Sequence, residues 1–314
     1  MTDSGRLRIG YLSTFYHTSH LLRADRWAAE GIEPEWTLEM TGPALVRSLA
    51  AGDLDVAYIG LTPATIAIAR GVPLRCVAGG HEEGTVVIGD GRFRALRPDE
   101  TDLDALLHEF EGVPVGIPAA GSIHDVIFRE LLREHGLEGR VPIRNFPQAD
   151  LITEALVDGS VGAGVGTPAL AVAGRRYAEA HIVVPAAVLW PHNPSYGIVA
   201  TDTARARPEL LRAFLRAHEA ATHLIRTAPR EAARRTAEAV EVTDADYVEE
   251  TYRVSPRYCA ALPEEYVDAT VRFLPVLERL GYLPRTVTAE EIFDRSLLAV
   301  THPEPAHYGD GIAR

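Results

Sequence analysis

The sequence predicts an α/β protein of two packed halves followed by a helical C-terminal region. Across residues 7–89, short apolar runs alternate with helical stretches at close spacing. That is the pattern of a parallel sheet with right-handed crossovers. The segment VPVGIPAAGSIHDVIFRELLREHGL, residues 113–137, repeats the strand, polar turn and helix of the opening LRIGYLSTFYHTSHLLRADRWAAEG, residues 7–31. No low-complexity linker and no solenoid-period repeat separates the halves, so a packed bilobal body is expected. With 314 residues the chain can fill two domains of ordinary size.

In order, Leu7–Leu12 reads as a buried strand through Leu7, Ile9, Tyr11 and Leu12. Ser13–Ser19 is a polar loop. Leu21, Leu22, Ala24, Trp27 and Ala28 recur at helical spacing, and Gly31 stops that helix. Ile32, Trp36 and Leu38 favour a strand, after which Thr41-Gly42-Pro43 opens a helix over Ala44–Ala51. LDVAYIG is a strand, Thr62-Pro63 starts a helix through Arg70, and LRCVAGG and TVVIG are strands around the loop His81-Glu82-Glu83-Gly84. Gly89–Glu100 reads as loop and Leu103–Phe110 as a short helix. Val113–Ile117 is a strand, Ile123–His135 a helix closed by Gly136, VPIRNF a strand and Asp150–Asp158 a helix. VGAGVG is a strand ending at Thr167-Pro168, Ala169–Ala178 a helix, and HIVVPAAVL and YGIVAT are strands. Four helices follow: Pro208–Arg226, Pro229–Val240, Asp244–Tyr252 and Glu264–Leu280. Thr288-Ala289-Glu290-Glu291 resembles a capping box, and HPEPAHYGDG reads as loop.

The bulk numbers exclude some functions. Net charge is −13 and no basic run exists, so nucleic acid is not an expected partner. Lysine is missing altogether, so any cation at a site must be Arg, protonated His or a metal. Cys76 and Cys259 lie far apart and no CxxC motif is present, so neither a structural zinc site nor a cofactor is expected. Cys76 sits in an apolar strand as a core thiol. The start MTDSGRLRIG shows no basic segment leading into an apolar one and no lipobox cysteine. A chain that begins naturally at Met1 is therefore expected in the cytoplasm, and one whose leader was removed in the periplasm or at the cell surface. No run approaches the length of a membrane span.

Ligands of open α/β sheets sit outside the carboxyl ends of the strands, against helix N-termini. That rule points to Ser13, Thr14, Tyr16, His17, Thr18, Ser19 and His20. His81, His124 and His192 also fall near strand ends, with Asn193 and Tyr196 beside the last. Tyr16, Tyr58 and Trp190 could stack on a planar ligand, whereas Trp27 reads as core. Arg47 and Arg70 are possible anion partners whose default is an exposed helix surface. The Arg-rich stretch Pro208–Arg235 is an ordinary amphipathic helix.

Several segments resemble the superfamily of solute-binding proteins that includes the sulfonate, nitrate and taurine binders and the thiamine-pyrimidine synthases. IGYLSTFYHTSHLLRADRWAAEGIEPEW is similar to its first strand, ligand loop and helix. VRSLAAGDLDVAYIGLTPATIAIARGVPLRCVAG is similar to its second ligand-loop segment, VPVGIPAAGSIHDVIFRELLREHGL to its strand, turn and helix, and PSYGIVAT to the strand returning to the first lobe. The resemblance implies a type II periplasmic-binding-protein fold, with lobe one over 1–90 and 198–314, lobe two over 91–197 and the ligand in a cleft between them. It places hydrogen-bonding loops on Ser13–Ser19, Thr41-Gly42, Gly60–Thr62, Gly121-Ser122 and Gly166-Thr167. Each lies after a strand or at a helix N-terminus, which suits a carboxylate, sulfonate or phosphate.

The implied function is binding of a small anionic or heterocyclic molecule, as a monomeric substrate-binding component of an ABC importer with a permease as partner. The alternative is a cytosolic enzyme on the same scaffold, as chorismate dehydratase, dihydroxynaphthoate synthase, the thiamine-pyrimidine synthases and an aromatic sulfinate desulfinase are. The loop histidines support it. His17 would be the general acid/base, and Ser122 and Thr167 the anion anchors. The synthases' cysteine-rich iron motif is absent, and the first loop has no cysteine.

Overall fold

A computed structural model describes residues 5–24, 31–96, 102–240 and 242–313. It divides into two compact units, residues 1–82 with 193–314 and residues 83–192. The first unit begins with β1 (Arg6–Tyr11), α1 (Thr18–Ala24), β2 (Glu33–Leu38), α2 (Gly42–Ala51), β3 (Val56–Ile59), α3 (Leu61–Ala69) and β4 (Leu74–Glu82). The second holds β5 (Val86–Gly89), α4 (Leu103–His108), β6 (Val115–Ile117), α5 (Ile123–Glu134) and β7 (Ile143–Asn145). It continues with α6 (Asp150–Val157), β8 (Ala163–Gly166), α7 (Pro168–Tyr177), β9 (His181–Val184) and α8 (Ala186–Leu189). The chain then returns to the first unit with β10 (Pro194–Thr201), α9 (Asp202–Arg205), α10 (Pro208–Thr227), α11 (Pro229–Val240) and α12 (Ala245–Val254). It closes with α13 (Glu264–Val271), α14 (Phe273–Arg279), α15 (Ala289–Ile292) and α16 (Leu298–Thr301).

Each unit is built on a five-stranded sheet, and the two sheets share one plan. Their orders are β2-β1-β3-β10-β4 and β7-β6-β8-β5-β9. In the first, β10 runs antiparallel to β3 and β4. In the second, β5 runs antiparallel to β8 and β9. Each antiparallel strand is the first element after the chain enters that unit. The expected boundaries at 90/91 and 197/198 therefore fall too late in the sequence. TVVIG and PSYGIVAT are apolar runs that either sheet would bury, and only hydrogen-bond pairing assigns them.

The first sheet packs both faces. One carries Leu7, Ile9, Val56, Tyr58, Ile198 and Phe214 of α10. The other carries Leu45, Ala57, Ile59, Cys76, Val199 and Tyr266. In the second unit Phe93 stacks on Phe110 with ring centroids 4.5 Å apart. Two expected elements are corrected. HIVVPAAVL is β9 followed by α8, because Pro185 ends the ladder and stands before the first helical turn. Glu264–Leu280 is α13 and α14 with Arg272 between, because Pro275 offers no N–H to the Val271 carbonyl. The capping box at Thr288 and Glu291 forms as expected. Trp27, and the end of the first helix before Gly31, lie outside the described residues. Among the described residues no helix is long and apolar enough to cross a membrane.

Candidate functional site

In the first unit the carboxyl ends of β1, β3 and β4 and the amino end of β10 share one edge. The loop after β1 brings Tyr16, His17, Thr18 and His20 there, all buried. His17 lies against Tyr196 with ring centroids 4.1 Å apart and the planes tilted by 37°. The Tyr16 and Ser195 hydroxyls are 2.8 Å apart. His218 of α10 donates from Nε2 to the Gly79 carbonyl at 2.8 Å, so its Nδ1 accepts the Thr18 hydroxyl at 3.0 Å. Thr18 in turn meets the Tyr196 hydroxyl, at 3.2 Å from its backbone N–H and 3.3 Å from its side chain. His81, one residue before the end of β4, donates from Nε2 to the Ser255 carbonyl at 2.6 Å. His20 donates from Nε2 to the Leu12 carbonyl at 2.9 Å, tying the loop to its own strand.

These contacts fix the charge of the site. Burial pulls His20 and His218 down to about 4 and His81 down to about 3. All three are neutral at pH 7, because a buried imidazolium forfeits its hydration. Burial likewise raises the Tyr16, Tyr58 and Tyr196 phenols well above their ordinary value. General acid/base catalysis favours a group titrating near the working pH, which these are not.

Helix N-termini add donors at the same edge. Thr41 caps α2, its hydroxyl accepting from Ala44 N–H at 3.2 Å. Gly60 stands at the N-cap of α3, and Thr62 is buried in its first turn. A Cβ on Gly42 would come within 2.9 Å of Pro63 Cγ, so only glycine lets the first turns of α2 and α3 abut. Ser13 is exposed, and the buried Thr14 hydroxyl makes no hydrogen bond.

In the second unit the carboxyl ends of β6 and β8 and the amino end of β5 share an edge. His124 lies in the first turn of α5, its Nδ1 2.9 Å from the Thr85 hydroxyl, and burial lowers it to about 4. Ser122 caps α5 and Thr167 caps α7. The α5 terminus is already neutralised, because the buried Asp125 carboxylate takes Gly121 N–H at 3.0 Å, Arg129 at 2.8 Å and Asn145 at 3.1 Å. Gly121 and Ser122 therefore differ from the other expected anchors. Trp190 is half-buried. Glu83 and His192 both adopt left-handed backbone at the two ends of this unit, with φ of 56° and 60°, and His192 N–H donates to the Glu83 carboxylate at 3.1 Å. Asn193 and Tyr196 belong to the first unit and are fully buried. Arg47 is exposed on α2, and Arg70 is exposed just past the end of α3.

First-turn charge differs among the helices, and α8, α14 and α16, away from the expected loops, also lack a first-turn acid. Asp or Glu occupies the first turn of α4, α5, α6, α10, α11, α12 and α13. None occupies that of α1, α2, α3 or α7. Acidic residues there would stabilise the helix, so these termini keep an uncompensated positive end. An N-cap hydroxyl that accepts from the helix still has its own proton to donate.

The sequence points to the loop after β1 and gives no sign of His218, Ser195, Thr85 and Asp125, which pack against the expected residues or their helices. His218 sits on an ordinary amphipathic helix, 200 residues from Thr18, and nothing local marks it.

Two sheets of one strand order, each completed by an antiparallel strand after a chain crossing, define the two-lobed type II periplasmic-binding-protein fold. The chain belongs to the NMT1-like family, whose model matches residues 2–241. Solved structures agree on the fold. The alkanesulfonate-binding protein SsuA from Xanthomonas axonopodis pv. citri, bound to MOPS, is similar with a TM-score of 0.75 at 18% identity, covering 94% of this chain and 100% of that one. The periplasmic aliphatic sulphonate binding protein SsuA from Escherichia coli has a TM-score of 0.76 at 16% identity, covering 95% of this chain and 99% of that one. The periplasmic nitrate-binding protein NrtA from Synechocystis PCC 6803 gives 0.76 at 15% identity, covering 99% and 91%. Among curated proteins none matches the chain.

Proposed function

We propose that this chain is the ligand-binding component of an ABC-type import system and takes a small anion, with a permease as its partner. The observation that carries the reading is that the first turns of α2 and α3 in the first unit, and separately of α7 in the second, hold no carboxylate, with Thr41 and Thr167 hydroxyls capping α2 and α7. An anion at any one such terminus meets a dipole end and a hydroxyl donor without needing a lysine or arginine. The relatives named for sulfonate and nitrate binding support the same ligand class. For the enzyme alternative, burial holds His20, His81 and His124 neutral and His81 spends its donor on the backbone, so these three are poor proton-transfer groups near pH 7.

The test is calorimetric titration and thermal unfolding with nitrate, alkanesulfonates and small carboxylates. A ligand at a hundred times its Kd is expected to stabilise the protein by about 2.7 kcal/mol. Thr41→Asp and Thr167→Asp keep a good N-cap residue but put a carboxylate where the anion would sit. Each is expected to lower affinity on the order of 100-fold while leaving the fold largely intact, since close like charges cost several kcal/mol. If no anion shifts the melting temperature, or both variants bind as well as wild type, the reading is wrong.

A further inference from the structure

Away from the strand-end loops, three side chains distant in sequence converge on one point. Glu219 comes from α10, Cys259 from the segment after α12, and His302 from the residue after α16. Cys259 Sγ lies 3.1 Å from His302 Nε2, which lies 3.6 Å from Glu219 Oε2. One ligand atom from each falls within 4.8 Å of the others. Tetrahedral zinc, with metal–ligand bonds of about 2.0–2.3 Å, separates its ligand atoms by roughly 3.3–3.7 Å. The two separations through His302 are close to that spacing, and the third lies within 4.8 Å.

The surroundings suit an ion rather than a chance contact. Ala261 and His307 direct backbone N–H groups at Cys259 Sγ, at 3.4 and 3.3 Å, as donors to a thiolate would. The Glu219 carboxylate is oriented by the Thr222 hydroxyl at 3.0 Å, Ala260 N–H at 3.3 Å and Arg226 at 3.2 Å. Metal ligands are characteristically held by such outer partners. His302 is 6% exposed, and its Nδ1 makes no hydrogen bond, so its working edge is Nε2, facing the sulfur and the carboxylate. Glu219 also lines an open cavity of about 790 Å³, together with His223, Arg226, His307 and Asp310. Of the trio, Glu219 is the member that lines it, so an ion would enter past that carboxylate. His307 hydrogen-bonds through Nδ1 to Asp310 at 2.8 Å, with its ring centroid 5.4 Å from that of His302, so it is a further nitrogen donor within reach.

We infer that Glu219, Cys259 and His302 form a binding site for a divalent ion of the zinc class, with the fourth position toward the cavity. A sulfur and an imidazole beside one carboxylate select zinc-like ions over magnesium or calcium. Binding releases one proton to solvent, from the Cys259 thiol, as the Zn–S bond forms. The ion would pin the 302–313 segment to α10 and the segment after α12. This site is independent of the anion-binding loops.

The experiment loads the full chain with Zn²⁺, dialyses it and counts zinc by mass spectrometry, then records zinc-edge X-ray absorption on the same sample. The expected result is one retained zinc per chain with one sulfur at about 2.3 Å. Replacing zinc with Co²⁺ should give a near-ultraviolet sulfur-to-metal charge-transfer band. Cys259→Ser should abolish the band, and His302→Gln should weaken zinc retention at least 10-fold. Retention well below one equivalent overturns the site, as does an all-nitrogen and oxygen shell on unaltered protein, or a band that survives Cys259→Ser. If the variants fail to fold, the absorption spectrum of the unaltered chain decides.

Discussion

Lowering the pH from 7 to 5 is expected to destabilise the first unit by about 4–6 kcal/mol, from three histidines at roughly 2 kcal/mol each. His20, His81 and His218 are buried and neutral, with folded values of about 4, 3 and 4. In the unfolded chain each titrates near 6.5. Between those values the unfolded state binds more protons, so stability rises with pH and falls on acidification. The full stability is present above about pH 6.5 and is lost progressively as pH falls toward 4. Each imidazole spends its Nε2 proton on a carbonyl, of Leu12, Ser255 and Gly79 respectively. Protonation would add a buried Nδ1–H, which at His218 collides with the proton now arriving from Thr18. Denaturant titrations at pH 7, 6 and 5 check this. A midpoint that stays flat over that range would mean the three rings are hydrated or charged in the native state.

Gly79→Ala is expected to cost about 3 kcal/mol or more, well above an ordinary surface change. A Cβ there would lie 2.0 Å from the Tyr308 hydroxyl and 2.4 Å from the Ala261 carbonyl oxygen. Tyr308 could swing away, but only by giving up its hydrogen bonds to Cys259 O at 2.8 Å and Ala261 O at 3.0 Å. The Ala261 carbonyl is backbone and cannot yield without moving the segment that carries Cys259. Gly79 is also tied on both sides, through its N–H to Ala260 O at 2.9 Å and its carbonyl to His218. Tyr308→Phe separates the two effects, since it removes only the hydroxyl and should cost about 1 kcal/mol. Thermal or chemical unfolding of both variants tests the ranking. Gly79→Ala as stable as Tyr308→Phe would show that the strand can shift at little cost.

The same stretch shows what a sequence can and cannot say. In LRCVAGGHEEG, the paired glycines inside a strand signal close approach from both faces. Nothing local names the visitors, which are Tyr308 and Ala261 on one face and the Tyr196 ring on the other, 2.1 Å from a Cβ on Gly80. The histidines behave alike. His17, His20 and His81 stand near strand ends in the sequence and lie at one edge of the first sheet. Whether each is a ligand group or a satisfied core group depends on carbonyls from distant segments.

The sequence alone determined the α/β order, the helix starts at Thr41, Ser122, Thr167 and Thr288, and the strand-end loops. Those follow from period, capping and turn chemistry within a few residues. Only the tertiary structure decided which sheet receives β5 and β10, which histidines are neutral, and that Glu219, Cys259 and His302 meet. Each of these depends on contacts between segments far apart in the chain, where burial and hydrogen-bond partners are set by packing rather than by neighbours in sequence.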